Sequence, residues 1–322
     1  MNLKSKRYAL LGVLLLVSSV GIVSQFYPVI DDLFVRNPFW NGLSDVYNLL
    51  DPIRVQNLDV LYRSDPSSST LLFIGPSTGF SVDEVESVKV FAERGGHVIV
   101  ADDFGSGNDL LEGLGLDVRF TGDLLLDSVF YDMEHTYPRL LNFSAHNMMP
   151  RDIVLNYATT LSDDFLVHSI ETSSPFSFVS REKLVEFRSY PVLGCVEYGD
   201  GEITLFSDSS VWINSMIGKE GNRDLLLGMA KGNVYIDEVH LAPSILTELN
   251  RVFVGLYFIL RIPEVRYSLV VFGSLMLWYY RSKPSGEAPL DEVEELLKRH
   301  SEWDREQVSW LQMQRRKTSG DQ

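Results

Sequence analysis

Cysteine is almost absent from this 322-residue chain: Cys195 stands alone. That excludes an intramolecular disulfide and any multi-cysteine zinc or iron–sulfur site. Basic residues are scarce too, 28 Lys and Arg against 44 Asp and Glu, for a formal net charge of −16. No basic stripe in the central region outweighs that balance, so a phosphate backbone is repelled and nucleic-acid binding is disfavoured. Also missing are a Walker A lysine, a Gly-x-Ser-x-Gly elbow and a His-Glu-x-x-His helix. What is present reads as globular: 45% hydrophobic and 22% charged residues, with 23 Gly and 13 Pro. Disordered, collagen-like and disulfide-stapled classes are thereby excluded. A mean hydropathy of +0.01 is high for a soluble protein and low for a polytopic one. A soluble domain carrying one or two membrane segments accounts for it.

The charge is unevenly placed. Residues 1–27 carry Lys4, Lys6 and Arg7 and no acid, whereas residues 28–262 carry 16 basic and 34 acidic side chains. Tyr8–Ile30 is a 23-residue stretch without a charge. As a helix it spans about 34 Å, enough for a hydrocarbon core of about 30 Å. The basic flank places residues 1–7 in the cytoplasm under the positive-inside rule, and an uncleaved anchor over 8–30 is expected. A cleaved signal peptide is the alternative, but the Ser24–Gln25 region is a poor cleavage site. A second span is expected over 262–280, with Glu264 and Arg266 snorkelling at one interface and Trp278, Tyr279 and Tyr280 as the aromatic belt at the other. Its competitor is a buried core helix. Val252–Leu260 reads as an interfacial helix leading into that span. These spans place residues 31–250 outside the cytoplasm, in a two-pass protein of the cell membrane.

Residues 281–322 form the expected cytoplasmic tail. A Pro/Gly/Ser-rich linker precedes Leu290, Val293, Leu297, Val308 and Leu311 at near-helical spacing, with acids leading and Arg315, Arg316 and Lys317 closing. Trp303 and Trp310 on so charged a helix suggest a docking face or a membrane-surface helix.

The middle of the chain alternates strand and helix. Thr70–Gly75 reads as a buried strand and Pro76–Phe80 as a turn. Ser81 and Glu84 then form a capping box on a helix that stops at Gly95-Gly96. His97–Ala101 is the next strand, and Gly105-Ser-Gly107-Asn108 turns into a short helix. Tyr190–Glu197 and Gly201–Phe206 flank a Tyr198-Gly-Asp-Gly201 hairpin turn, Asn222–Ala230 is helical and Asn233–Ile236 is a last strand. The pattern predicts an α/β domain with a parallel sheet, flavodoxin-like or class I glutamine-amidotransferase-like, flanked by transmembrane helices. Residues 117–190 show no clear pattern beyond short strands, loops and an Asn142-Phe-Ser144 sequon.

Ligands bind beyond the carboxyl ends of strands in such sheets. Three strands end in acids: Asp102 and Asp103, then Asp208, then Asp237 and Glu238 with His240. If they converge, they make an oxygen-rich pocket for Mg²⁺ or Ca²⁺, and a metal-dependent hydrolase using Asp102, Asp103, Asp208 and Asp237 is one reading. The alternative is that each carboxylate caps the turn or helix after it. Ser77 and Thr78 lie in a strand-to-helix turn whose amides could hold an anion. Cys195 falls inside a strand and His97 at a strand start, both structural positions. No nucleophile is set up for catalysis, and no cofactor is expected.

Ile74-Gly-Pro-Ser77, Phe80-Ser81, Glu84, Gly95-Gly96 and Ala101-Asp-Asp-Phe-Gly-Ser-Gly-Asn108 resemble motifs of the membrane-anchored domain of unknown function 4350 family. So do Asp208-Ser-Ser, Asn214, Asn222-Arg223-Asp224 and Asp237-Glu238-Val-His240. The resemblance spans roughly residues 34–260 and implies an amidotransferase-like α/β fold, with Ser77 and Thr78 where an amidotransferase has its cysteine. It also implies a membrane setting beside MoxR-type AAA+ ATPases or ABC-type export systems. The expectation is a non-catalytic accessory protein, with binding residues Ser77, Thr78, Asp102, Asp103, Asn108, Asp208, Asp237, Glu238 and His240.

Overall fold

Uninterrupted apolar runs make the central strands, because a strand within a parallel sheet is covered on both faces. The computed structural model describes residues 28–63, 65–143, 151–162, 169–180, 186–282 and 291–319, with Gly12, Leu15 and Ser19. The first half runs α1 (Ser44–Leu50), β1 (Ile53–Val55), β2 (Ser69–Ile74), α2 (Val82–Glu93), β3 (His97–Ala101) and α3 (Gly107–Gly113). Five short strands follow: β4 (Leu125–Asp127), β5 (Arg139–Phe143), β6 (Arg151–Val154), β7 (Ser169–Thr172) and β8 (Ser177–Val179). The chain continues with β9 (Pro191–Tyr198), β10 (Gly201–Phe206), α4 (Asn222–Met229), β11 (Asn233–Asp237), α5 (Ile245–Arg261), α6 (Pro263–Ser282), α7 (Asp291–Arg299) and α8 (Arg305–Ser319).

Seven strands form one sheet in the order β1-β11-β2-β3-β10-β9-β7. Neighbours from β1 to β10 are parallel. The β9–β10 hairpin and the β7–β9 pair add antiparallel strands at one edge. The fold is therefore mixed α/β with a mostly parallel central sheet.

Alternation along each strand divides the apolar side chains between two cores. Leu72, Ile74, Ile99, Ala101 and Phe206 face one layer with Trp212, Leu225, Leu226 and Met229. Leu71, Phe73, Val98, Val100, Ile203 and Leu205 face the other, against Val88, Phe91 and Ala92 of α2 and Leu110 and Leu111 of α3. Each large side chain so buried contributes roughly 1.5–3 kcal/mol. Helices leaving β2 and β3 thus cover one face, and the segment leaving β10 covers the other. The carboxyl-end loops diverge between β3 and β10, where an open α/β sheet forms a crevice.

Residues 117–190, without a clear pattern in sequence, hold two small antiparallel pairs, β4–β8 and β5–β6, and the edge strand β7. Ser144 of the sequon lies outside the described residues.

The chain divides into two units, Met1–Phe253 and Val254–Gln322. In the second, the described tail residues form two helices, α7 and α8, with Trp303 between them stacked on His300 at 4.2 Å. The expected span over 262–280 folds as α6, a 20-residue helix. The expected span is not supported: among the described residues no helix is long and apolar enough to cross a membrane. Glu264 and Arg266 at one end and Trp278, Tyr279 and Arg281 at the other leave too short an apolar middle. Most of the expected first span, 8–30, lies outside the described residues.

Candidate functional site

The segment Ala101–Asn108 is a turn built around one carboxylate. Asp102 is buried at the end of β3. Its Oδ1 accepts the amides of Asp103 at 2.9 Å and Gly105 at 3.0 Å, and its Oδ2 accepts the Gly107 amide at 2.7 Å. The last bond satisfies an amide at the start of α3 that no intrahelical acceptor reaches. The backbone wraps so closely that a Cβ on Gly105 would lie 2.2 Å from the Pro76 carbonyl oxygen, and one on Gly107 would lie 2.6 Å from Asp102 Oδ2. Asn108 then exchanges two hydrogen bonds of 2.9 Å with the backbone of Phe120. Asp103 accepts its neighbour Phe104's amide at 2.7 Å and the Ser209 hydroxyl at 2.9 Å, bridging β3 and β10 where their loops diverge.

Asp208, at the end of β10, is fully buried and accepts the amides of Ser210 at 2.7 Å and Asn156 at 2.6 Å. Burial pushes Asp102 up to about 6; the Gly107 amide opposes it and the Asp103 charge adds to it. Burial likewise raises Asp103, while burial and then the Asp103 charge hold Asp208 well above the ordinary carboxylate range.

The strand-to-helix turn after β2 is occupied by the chain itself. The amides of Ser77 and Thr78 donate to the His240 carbonyl at 2.7 and 3.0 Å, so the donors suited to an anion are already taken. The Ser77 hydroxyl accepts the Ala242 amide at 2.8 Å and donates to the His240 carbonyl at 3.3 Å. His240 is buried, its ring stacked on Phe80 at 3.8 Å. Its Nδ1 lies 3.0 Å from Asp237 Oδ2, and its Nε2 stands 3.6 Å from Glu84 Oε2. Glu84 closes the capping box with Ser81 at the start of α2. Burial raises the Glu84 carboxyl, but the Ser81 bonds and the His240 charge outweigh it and leave it lowered. Asp237 also accepts the His240 amide at 3.1 Å. Glu238 accepts the Val35 amide at 2.9 Å and the Arg54 guanidinium, which ties the segment before α1 and strand β1 to the end of β11.

Above the sheet's carboxyl edge lies a cavity of about 550 Å³, lined by Asp31, Asp32, Ser77, Asp102, Asp103 and Ser209 among others. Of the residues expected in a site, Ser77, Asp102 and Asp103 line this cavity; Thr78, Asn108, Asp208, Asp237, Glu238 and His240 are not among its lining residues. Of the two readings of the strand-end acids, convergence on a metal ion is not found: among the described residues no group of three or more His, Cys, Asp or Glu is placed to hold one. The reason is that these carboxylates are already committed: Asp102, Asp103, Asp208 and Asp237 accept amides that follow them, and Glu238 takes the Val35 amide and the Arg54 guanidinium. Sequence reasoning missed Asp31 and Asp32, whose only signal is two acids directly after the apolar run. Asp31 accepts the Ser244 amide at 3.1 Å. Burial opposes ionisation there, but bonds from Ser244 and Thr247 and the Arg251 charge lower its pKa.

Other motif residues are equally structural. Asn222, fully buried, exchanges bonds with the Val154 backbone and donates to the carbonyls of Val211 and Met216. Asn214 donates to the carbonyls of Asn37 and Phe39 and accepts the Asp45 amide. Cys195 is buried in β9 with its thiol pKa raised by burial, and His97 Nε2 lies 2.8 Å from Thr204 Oγ1.

No curated protein matches the chain. Among solved structures it is similar to the mmIFT52 N-terminal domain, at 16% identity over 53% of this chain and 77% of that one, with a TM-score of 0.42. It is also similar to the exo-β-1,4-mannosidase Op5Man5 from Opitutaceae bacterium strain TAV5, at 11% identity over 44% of this chain and 20% of that one, with a TM-score of 0.24. A third is the β-galactosidase from Bacillus circulans sp. alkalophilus, at 10% identity over 50% of this chain and 22% of that one, with a TM-score of 0.27. The chain spans only about a fifth of either glycosidase. The family of domains of unknown function DUF4350 matches residues 35–230, more than half of the chain. This protein belongs to the DUF4350 family.

Proposed function

We propose that this protein is a non-catalytic binding and accessory subunit, an amidotransferase-like domain without amidotransferase chemistry. The observation that carries the reading is Ser77: at the turn where such an enzyme holds its nucleophile, the hydroxyl is bonded on both sides by the 240–242 segment. A hydroxyl held as acceptor of a backbone amide, with the neighbouring amides closed on a carbonyl, has neither an activating base nor an oxyanion hole. The acidic cavity above the sheet suits a ligand that offers hydrogen-bond donors or positive charge. The metal-dependent hydrolase reading is not retained, because the strand-end carboxylates are committed to backbone amides.

The setting proposed is the membrane, with Tyr8–Ile30 as anchor and the α/β domain outside the cytoplasm. The second crossing is not carried forward, so residues 283–322 stay on the side of the bilayer that holds the α/β domain and would meet an ATPase complex through its subunits on that side. Partners are the lipid bilayer and a MoxR-type AAA+ or ABC-type ATPase, supported by family resemblance and by the charged helices α7 and α8 with exposed Trp303 and Trp310. Affinity purification of the full-length protein from its native membrane tests this. The same ATPase recovered with the intact chain and lost on deletion of residues 283–322 supports the reading. An unchanged set of co-purifying proteins after that deletion counts against the docking role.

A further inference from the structure

We propose that Phe39 and Trp40 form an interfacial anchor that seats the α/β domain on the lipid headgroups of the bilayer entered by Tyr8–Ile30; the inference rests on the membrane attachment proposed above. Trp40 is 69% exposed and Phe39 46% exposed. The backbone of the loop that carries them is held by hydrogen bonds. The Phe39 amide donates to Asn37 Oδ1 at 2.8 Å, and the Gly42 amide donates to the Phe39 carbonyl at 3.1 Å. The Ser215 amide donates to the Trp40 carbonyl at 3.0 Å, and Asn214 Nδ2 donates to the Phe39 carbonyl at 2.6 Å. Asn37 is buried beneath the tip and donates to the Asp31 carbonyl at 2.8 Å. A tip held by this many bonds presents its aromatic rings to whatever lies beyond it.

The identity of that neighbour follows from where the loop is tied. Asn41 Nδ2 reaches the carbonyl of Ile30 at 3.5 Å, and the Leu33 amide donates to the Asn41 carbonyl at 3.0 Å. Ile30 is the last residue of the uncharged run. Residues 28–30 are not helical, so on the proposed anchor the chain leaves the hydrocarbon just before Ile30, and a loop bonded there lies at the headgroup layer, roughly 5–8 Å deep on each side. Trp is enriched at that depth because its ring is apolar while its indole N–H still finds water or a headgroup oxygen. Ile30, Asp31 and Asp32 also line the cavity at the sheet's carboxyl edge, so a domain seated in this way holds the cavity mouth close to the bilayer surface.

The test places an environment-sensitive fluorophore on the full-length protein through Trp40→Cys, with Asp200→Cys as control. Asp200 is exposed in the β9–β10 hairpin turn, at the opposite edge of the sheet, and native Cys195 is buried. The protein is reconstituted in phosphatidylcholine–phosphatidylglycerol vesicles with and without lipids brominated near the headgroup. The expected result is blue-shifted emission at position 40, quenched by the brominated lipid, and unchanged emission at position 200. Vesicle-bound protein with a water-exposed probe at 40 overturns the interfacial anchor and leaves membrane attachment standing. Protein that does not co-fractionate with vesicles overturns both. A probe at 40 that is shielded in native membranes but not in pure lipid overturns the lipid assignment in favour of a protein partner.

Discussion

The amide of Gly107 donates to the carboxylate of Asp102 at 2.7 Å, so the first residue of α3 is capped by the strand that precedes its turn. The Ala101–Asn108 motif is therefore an architectural device: an acid at a strand end gathers three amides, and two glycines let the backbone close around it.

Gly107→Ala tests that device. The added Cβ would stand 2.6 Å from Asp102 Oδ2 and 3.0 Å from Asp102 Cβ, against groups that cannot withdraw. Overpacking of this kind costs about 1–3 kcal/mol. Gly218→Ala, with nothing within 4 Å of the new Cβ, stays within about 0.5 kcal/mol of the parent. Denaturant unfolding measures both, and a Gly107→Ala protein as stable as the parent contradicts the close-approach argument.

Stability depends on pH through the same acid. Asp102 has a folded pKa of about 6 against an ordinary 3.8, so between those values the folded state binds the proton more tightly than the unfolded chain. Its contribution to stability rises as pH falls from 6 towards 4 and is lost as pH rises through 6. Asp208, raised by burial, acts in the same direction. Asp31 and Glu84, both lowered, act oppositely and only below about pH 4.5, where they become protonated. Urea midpoints from pH 7 to 4.5 are expected to rise as pH falls, and Asp102→Asn flattens that slope while lowering stability overall, because its NH₂ opposes an amide donor. An unchanged slope in the variant assigns the effect elsewhere.

Ser77→Ala removes the hydroxyl that accepts the Ala242 amide. The expected loss is about 1 kcal/mol of global stability, with faster hydrogen exchange confined to the 240–244 segment. Exchange there indistinguishable from the parent means that the hydroxyl is not what holds the segment.

Much of this fold was legible because its strands are continuous apolar runs and its helix start carries a capping box. Ser69–Ile74, His97–Ala101, the β9–β10 hairpin and α4 all lie within a residue or two of the positions the pattern implies. Strands β4–β8 were illegible because strands of three to five residues leave too few alternations to read. Of the site, the acids were visible but their destination was not. A carboxylate after a strand reads the same whether it faces a ligand or its own following amides, and only the geometry of Asp102, Asp208 and Asp237 decides for the amides. Asp31 was invisible because its bond to Ser244 joins residues 213 apart.

Asn222→Ala is expected to be the most damaging single change among the motif residues. It leaves the Val154 amide and the carbonyls of Val154, Val211 and Met216 without the side chain that now satisfies them. Buried groups orphaned in this way cost about 1–3 kcal/mol each, relieved in part by rearrangement, so a loss of about 3 kcal/mol is expected. Thermal unfolding measures it, and a loss below about 1 kcal/mol shows that those groups find other partners.

The central claim, that the turn after β2 is a clasp and not a nucleophile, is tested most directly by intact-mass analysis after treatment of the full-length protein with a fluorophosphonate. The account predicts an unmodified mass, because the Ser77 hydroxyl is committed to Ala242 and His240. A stoichiometric adduct that maps to Ser77, and that is lost in His240→Gln, would contradict it and make this site a catalytic centre.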